Sequence, residues 1–592
     1  MTGASPAPFG ALVRHFFGRF FDNEFVARDS EMQVTVTKIL AMLAAPGMLL
    51  PLFRFTTYLS LDDYPPEVRD PTLWFDRLFF FSFSMVVMGA VTVLEWDTLF
   101  PDRRDYATLI PLPLPLRSVF LAKVAALAGF VVAFTVVVNF SSTVTFPLIA
   151  FRGTFKGLLT AMLIHGSTVL AASTFIFGFL VALEGALLNM LSFRWFKKTS
   201  AFVQSAMVFT LLSVFFLFPT VALSIPKLKA IDSASLYAYP PAWFLGMNEV
   251  LLGSRDPVFL KLAAVAWKAL LGAMLFSAIA YAVAYRRQVR RTLETLEGGE
   301  GGRTRVHEWL GRLADRVAPH PVERGTLAFI GKTVARSAKH RIFLAAYVGV
   351  GCAFVLQALI GTRLKQVSLS IPLVLSFFVL SGLRYIFTIP AELPANWIFR
   401  VSENEQRGRA LDGARRAMRW FGVAPLFTLL APFYFVLWTP LTAIAHLAFS
   451  ITCSLLLIEV LMMGFWKIPF TCSYPAGKAN VTILWMFYWA AFTSYAYSMA
   501  ALEAWMVLRP WRLLFFYAAA GVVWYGLKLH RRRGERVFTL IFDDVPEPIV
   551  RTLGLSELGW LRRAETRPES NRSTGPGRVV RPSSASHISR AE

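Results

Sequence analysis

The sequence predicts an all-α polytopic membrane protein of about twelve transmembrane helices, arranged as two pseudo-repeated six-helix halves. Three observations carry this. Only 16% of the 592 residues are charged while 56% are hydrophobic, and mean hydropathy is +0.53; a soluble domain carries about 25% charged residues. Apolar runs recur along the chain, each near the roughly 20 residues a helix needs to cross the hydrocarbon core. Basic residues gather in alternate connections, the pattern expected when Lys- and Arg-rich loops stay in the cytoplasm.

Taken in order, the first residues lack the continuous apolar core of a cleavable signal. Phe9, Leu12, Val13, Phe16, Phe17, Phe20 and Phe21 recur at helical spacing, with Arg14, His15 and Arg19 between them. That is the pattern of an amphipathic helix lying in the membrane interface. Spans are expected at 37–60, 76–94, 119–140, 158–187, 201–224 and 258–285, and again at 342–361, 369–388, 421–440, 442–466, 481–502 and 512–528. A second amphipathic stretch, with Leu327, Phe329, Ile330 and Val334, precedes the seventh span as the Phe-rich one precedes the first. The halves run over 1–290 and 322–530. Between them, 291–321 reads as a basic cytoplasmic linker with Gly298-Gly299 and Gly301-Gly302. After them, 531–592 reads as a basic cytoplasmic tail, expected to be disordered from about 565 on its Pro, Ser, Arg and Gly content.

Charge placement sets the orientation. The stretch from Arg286 to Arg341 holds 13 basic and 6 acidic residues. Arg194, Lys197 and Lys198 follow the fourth span, Arg400 to Arg419 separate the eighth from the ninth, and Arg531-Arg532-Arg533 open the tail. Twelve spans with both termini cytoplasmic put all of these on one side, and leave the acidic loop of Asp62, Asp63, Glu67 and Asp70 outside. The expectation is an integral protein of a bacterial-type inner or plasma membrane. The net charge of +23 reads as cytoplasmic loops facing anionic lipid, not as a nucleic-acid surface. Cys352, Cys453 and Cys472 lie far apart without metal-ligand spacing, and read as small apolar-run residues.

Chemistry-bearing motifs are few. The nearest approach to a phosphate-binding loop runs from Gly325 to Gly331-Lys332-Thr333, but five bulky or apolar residues separate its glycines where the motif needs four. A tight turn of exposed amides cannot form there. No H-E-x-x-H and no G-x-S-x-G occurs. The chain therefore reads as a non-enzyme that binds no cofactor or metal itself. His165 and His446 fall near the outer ends of spans four and ten and read as hydrogen-bonded interfacial histidines. Three ionisable residues lie in apolar surroundings: Glu184, Glu459 and Lys268. The two acids read as members of structural ion pairs near the cytoplasmic face, with Arg194 and Lys467 beyond them, or as lining a route; Lys268 reads as snorkelling.

The stretch from Glu95 to Lys123 organises the first half. Paired charges, Asp102-Arg103-Arg104-Asp105, lead into a Leu/Pro run containing Pro111, Leu112, Pro113 and Leu114. Charged at one end and apolar at the other, it suits a segment at the cytoplasmic membrane surface that touches a soluble partner. On the outer side, YAYPPAWFLGMNEVLLG breaks any incoming helix at Pro240-Pro241 and restarts a short one, which Trp243, Phe244, Leu245, Val250 and Leu251 would anchor in the interface.

With LIPLPLPLRSVFLAK between spans two and three and YPPAWFLGMNEVLLG before span six, the chain resembles the permease of an ABC-2-type exporter, with two six-span halves fused. The resemblance implies that the Leu/Pro segment, ending at Lys123, is a coupling helix that docks into a separate nucleotide-binding ATPase subunit, where ATP is held. Asp102 to Asp105 would make its charged contacts and Pro111 to Leu114 would stiffen its docking surface. The counterpart in the second half contains Pro390, Glu392, Pro394, Asn396 and Arg400, and departs from the pattern by adding acid and amide groups. The partners implied are that ATPase, the bilayer and a transported substrate. Two other classes remain: a polytopic enzyme acting on lipid or lipid-linked sugar, and an ion-coupled carrier using Glu184 or Glu459.

Overall fold

A computed structural model describes residues 7–19, 31–99, 115–151, 153–294, 318, 320–361, 369–391, 399, 401, 408–471, 481–507, 509 and 511–537. Every regular element among them is helical. Nine helices among the described residues are long and apolar enough to cross a membrane, which defines an all-α polytopic membrane protein.

The other three of the predicted twelve spans are helical but are not among these nine. The helix Glu31–Phe53 runs for 23 residues, and among the described residues Leu40–Phe53 is its apolar stretch. Ile371–Ile386 has 16 residues, roughly 24 Å of helix against a hydrocarbon core of roughly 30 Å. Residues 481–507 are divided into two α-helices by a π-helical turn at Ser494–Ser498.

The first half comprises α1 (Ala7–Arg19), α2 (Glu31–Phe53), α3 (Pro66–Leu94), α4 (Leu116–Ala150), α5 (Phe155–Met190), α6 (Phe193–Ala230), α7 (Pro240–Leu251) and α8 (Pro257–Glu294). α3 lies at its centre against α5, α6 and α7. Its buried face, including Leu78, Phe81, Met85 and Met88, meets Ile176 and Leu180 of α5 and Phe244 and Leu245 of α7. α8 packs along α5 through small residues: a Cβ on Gly185 would stand 2.8 Å from the Cβ of Ala280. Such close backbone approach holds helices together where apolar burial alone has no driving force.

The second half comprises α9 (Pro321–Arg336), α10 (Ala338–Gly361), α11 (Ile371–Ile386), α12 (Arg409–Met418), α13 (Ala424–Leu437), α14 (Pro440–Leu461), α15 (Val481–Thr493), α16 (Met499–Val507) and α17 (Trp511–Val537). A π-helical turn at Arg419–Val423 joins α12 to α13, so that 409–437 continues as one rod. Its core gathers Phe377, Phe378, Leu383, Leu411, Met418 and Phe492. The halves meet where α10 lies along α6. There the rings of Phe216 and Phe354 stand 4.9 Å apart, and Ile342 of α10 joins the first core.

Two predicted surface elements turn out to be packed. α7 begins with Pro240 and Pro241, whose fixed φ suits a first helical turn. Of the residues expected to anchor it, Phe244 and Leu245 are buried against protein, Leu251 is exposed, and the half-buried Trp243 donates its indole N–H to the Tyr237 carbonyl at 2.8 Å. α1 likewise buries Leu12 and Phe16 against Val119, Ala122 and Ala126 of α4. Cys453 is buried and Cys352 half-buried; Cys472 lies outside the described residues.

Candidate functional site

The strongest assembly of charge lies at the end of the second half where α12 begins and α14 finishes. α9 opens with His320 as its cap, the ring Nδ1 accepting from the Val322 amide at 3.3 Å, and places Glu323 in its first turn. α12 has the sequence RALDGARRAM: Leu411, Ala414, Ala417 and Met418 face inward, while Arg409, Asp412 and Arg416 keep partial access to solvent or partners. Gly413 allows the contact between the two helices, because a Cβ there would lie 2.8 Å from the Thr326 Cβ and 2.9 Å from the Glu323 carbonyl oxygen.

Three carboxylates are gripped in this junction. Glu323, its side chain 2% exposed, takes Arg409 Nη1 at 3.1 Å and Arg416 Nε at 2.9 Å. Asp412 takes Arg415 Nη1 at 3.3 Å and Arg531 Nη1 at 3.2 Å. Glu459, 7% exposed, takes Arg419 Nη2 at 3.1 Å and Arg415 Nε at 3.4 Å, with Arg531 Nη1 at 3.9 Å. Arginine suits this role because its planar fork stays charged and serves two acceptors at once. The result couples four elements, α9, α12, α14 and α17, through shared desolvated charge. Each pair, once buried, is costly to break.

The first half makes its corresponding joint differently. α1 packs on the opening turns of α4, as α9 packs on α12. Lys123 is buried there with its Nζ 5.0 Å from the centroid of the Phe16 ring, a cation–π contact. Glu184 is buried on α5 beside the crossing of Gly185 and Ala280. Lys268 is exposed on α8, twelve residues before Ala280, about 18 Å along the helix. The predicted intramembrane set Glu184, Glu459 and Lys268 is therefore not a single constellation.

Asp102, Arg103, Arg104, Asp105, Pro111, Leu112, Pro113 and Leu114 lie outside the described residues, as do Glu392, Pro394, Asn396 and Arg400. Pro390 is half-buried beside a backbone clasp. Ala391 N–H donates to the Phe470 carbonyl and Phe470 N–H to the Phe387 carbonyl, both at 2.9 Å. Phe470 adopts φ +66° to do so, a conformation rare for a non-glycine residue. His340 adds Nε2 at 3.1 Å from the Ile389 carbonyl oxygen. The beginning of the predicted second coupling segment is thus tied to the chain just beyond α14.

Several predicted roles change. Glu459 is paired, but with arginines from three other elements and not through Lys467. Both histidines are buried within the protein. His446 Nδ1 sits 2.6 Å from Glu503 Oε1, both side chains 2% exposed. His165 is enclosed by Phe80, Phe81 and Phe146 with neither ring nitrogen hydrogen-bonded. The sequence reading missed Glu503, Glu323 and Asp412, and also Asp76, which binds Arg54 Nη1 at 2.7 Å and the Tyr58 hydroxyl at 2.6 Å. A usable signal existed for Asp76: it and Arg54 are opposite charges lodged in neighbouring apolar runs, where a charge calls for a partner.

No protein-family model, no curated protein and no solved structure matches the chain.

Proposed function

We propose that this chain is the membrane-spanning permease of an ATP-driven, ABC-2-type exporter, with twelve spans in two fused six-span halves, both termini cytoplasmic, and ATP bound and hydrolysed on a separate subunit. One observation carries the reading. In each half an amphipathic helix packs on the opening turns of the helix that directly follows a predicted coupling segment: α1 on α4 after 102–114, and α9 on α12 after 390–400. A push delivered to either segment therefore meets a braced joint. In the second half the brace is ionic and reaches α14 and α17, so that α12 would move with the helices around it and rock one half against the other along the α6–α10 seam.

The test is co-purification of the full chain with the Walker-motif ATPase encoded beside it. The intact chain retains that ATPase, and Arg103→Glu with Arg104→Glu lowers retention at least tenfold. Unchanged retention in the double variant overturns docking through this segment.

One observation favours an ion-coupled carrier as second reading. His446 and Glu503 form a buried ionisable pair, and such groups inside apolar bundles mark proton or ion routes. Transport that persists without ATP and collapses with the proton gradient would select it.

A further inference from the structure

At the opposite end of the first half, α3, α5 and α8 begin and α4 finishes around a cavity of about 600 Å³. That lies in the range of small-molecule sites, roughly 300–1,000 Å³. Its formal charges are already matched. Arg77 pairs with Glu249, Arg69 with Asp70 at 3.3 Å, and Lys229 with Asp256 at 2.7 Å. Lys229 also lies over the Trp74 and Phe259 rings at 4.7 and 4.8 Å.

What is unmatched is neutral. His165, 2% exposed, lines the cavity with both Nδ1 and Nε2 unbonded. Asn248, 1% exposed, donates Nδ2–H to Thr168 Oγ1 at 3.2 Å, which directs its own unbonded Oδ1 elsewhere. His165 and Thr168 are three residues apart on α5, so their side chains are neighbours on one helix face. A neutral imidazole supplies one donor and one acceptor, and the amide oxygen supplies another acceptor. Buried groups of this kind are costly to leave unbonded.

We propose that this cavity binds a neutral, hydroxyl-rich group: a sugar or polyol, presented free or as the head of a lipid. Each hydroxyl both donates and accepts, which is what His165 and Asn248 lack. A charged group would have to break an ion pair to find a counter-charge here, and a purely apolar one would leave three polar atoms unmet. Phe146, Phe151 and Phe259 supply apolar surface for the C–H faces of such a ligand. The site is independent of any ATPase, and its failure would leave the transporter reading untouched.

The experiment uses the full chain, extracted with a copolymer in place of sugar detergents and held in lipid nanodiscs. Three probes are added separately: methyl glucoside in solution, glucosyl diacylglycerol in the disc, and phosphatidylglycerol in the disc. Binding is read by native mass spectrometry. One or both glucosyl probes bind, and His165→Phe and Asn248→Leu each weaken that binding at least tenfold while melting no lower than the parent. Glycolipid binding without methyl glucoside binding identifies a lipid source; the reverse identifies a free one. Should either variant fail to fold, the parent chain is treated with diethyl pyrocarbonate, and the bound glucosyl probe protects His165 from modification. The proposal is overturned if neither glucosyl probe binds, if binding survives both substitutions, if His165 is not protected, or if phosphatidylglycerol binds with the same dependence on these residues.

Discussion

Glu459 faces guanidinium groups from Arg415, Arg419 and Arg531 at the end of an otherwise apolar helix. Its charge is tolerable only because they are there. Replacing it by Gln removes one carboxylate from Arg415, 6% exposed, which also pairs with Asp412. Glu459→Gln is expected to cost about 3 kcal/mol, read as a lower melting temperature of the purified chain. Lys268→Gln, on an exposed position, should change stability by less than about 0.5 kcal/mol. Outside the spans, Asp256 and Asp232 set an acid limit. Burial raises the Asp256 carboxyl, but Lys229 and the Val258 and Phe259 amides outweigh it, and the group titrates below its usual range. Lys261 and Tyr237 lower Asp232 in the same direction. A lowered folded value means that the unfolded chain takes up protons first. The stabilisation is therefore complete above about pH 4 and fades as pH falls through the folded values. Amide exchange over 232–256 should be steady from pH 7 to 5, after correction for intrinsic rates, and should rise below about pH 4.

Among elements, α9 and α12 depend on their closest point of approach. Gly413→Ala drives a methyl group into Thr326 and the Glu323 carbonyl, and should cost about 1–3 kcal/mol. Limited proteolysis should then cut within 321–336 sooner than in the parent chain. Which helices exist was largely legible in the sequence: the apolar periods gave α1 and α9, and the Pro240-Pro241 pair gave α7. What each helix does was less so. α1 and α7 carry large apolar faces, and a hydropathy pattern cannot say whether such a face meets lipid or another helix. The π turn at Ser494–Ser498 had no herald either, since SYAYS contains neither Pro nor Gly. For the charged junction, the arginines were visible as a cluster and Asp412 pairs locally with Arg415, but Glu323 and Glu459 lie 86 and 40 residues from their partners Arg409 and Arg419, across contacts that no local spacing encodes.

For the whole molecule, the seam between the halves rests on α6 and α10, with Phe354 stacked on Phe378 at 5.8 Å and near Trp489 and Phe492, each at 5.5 Å. Phe354 therefore joins the seam to the second core. Phe354→Ala should cost about 2 kcal/mol, below the roughly 3–5 kcal/mol of a fully buried phenylalanine. It should also speed exchange in both α6 and α10, which hydrogen-exchange mass spectrometry would resolve. Loss of protection confined to α10 would mean that the halves are held elsewhere.

The amide clasp at Phe470 gives the second half a redundancy. Under the proposed coupling, load entering from the second predicted segment would have one path through the arginine junction into α12 and another through Ala391 and Phe470 toward α14. Salt or a charge reversal weakens only the first, since the second is made of backbone. If the proposed coupling holds, a damaged junction should thus leave it slack but still connected, and only a chain broken at both fastenings would lose it.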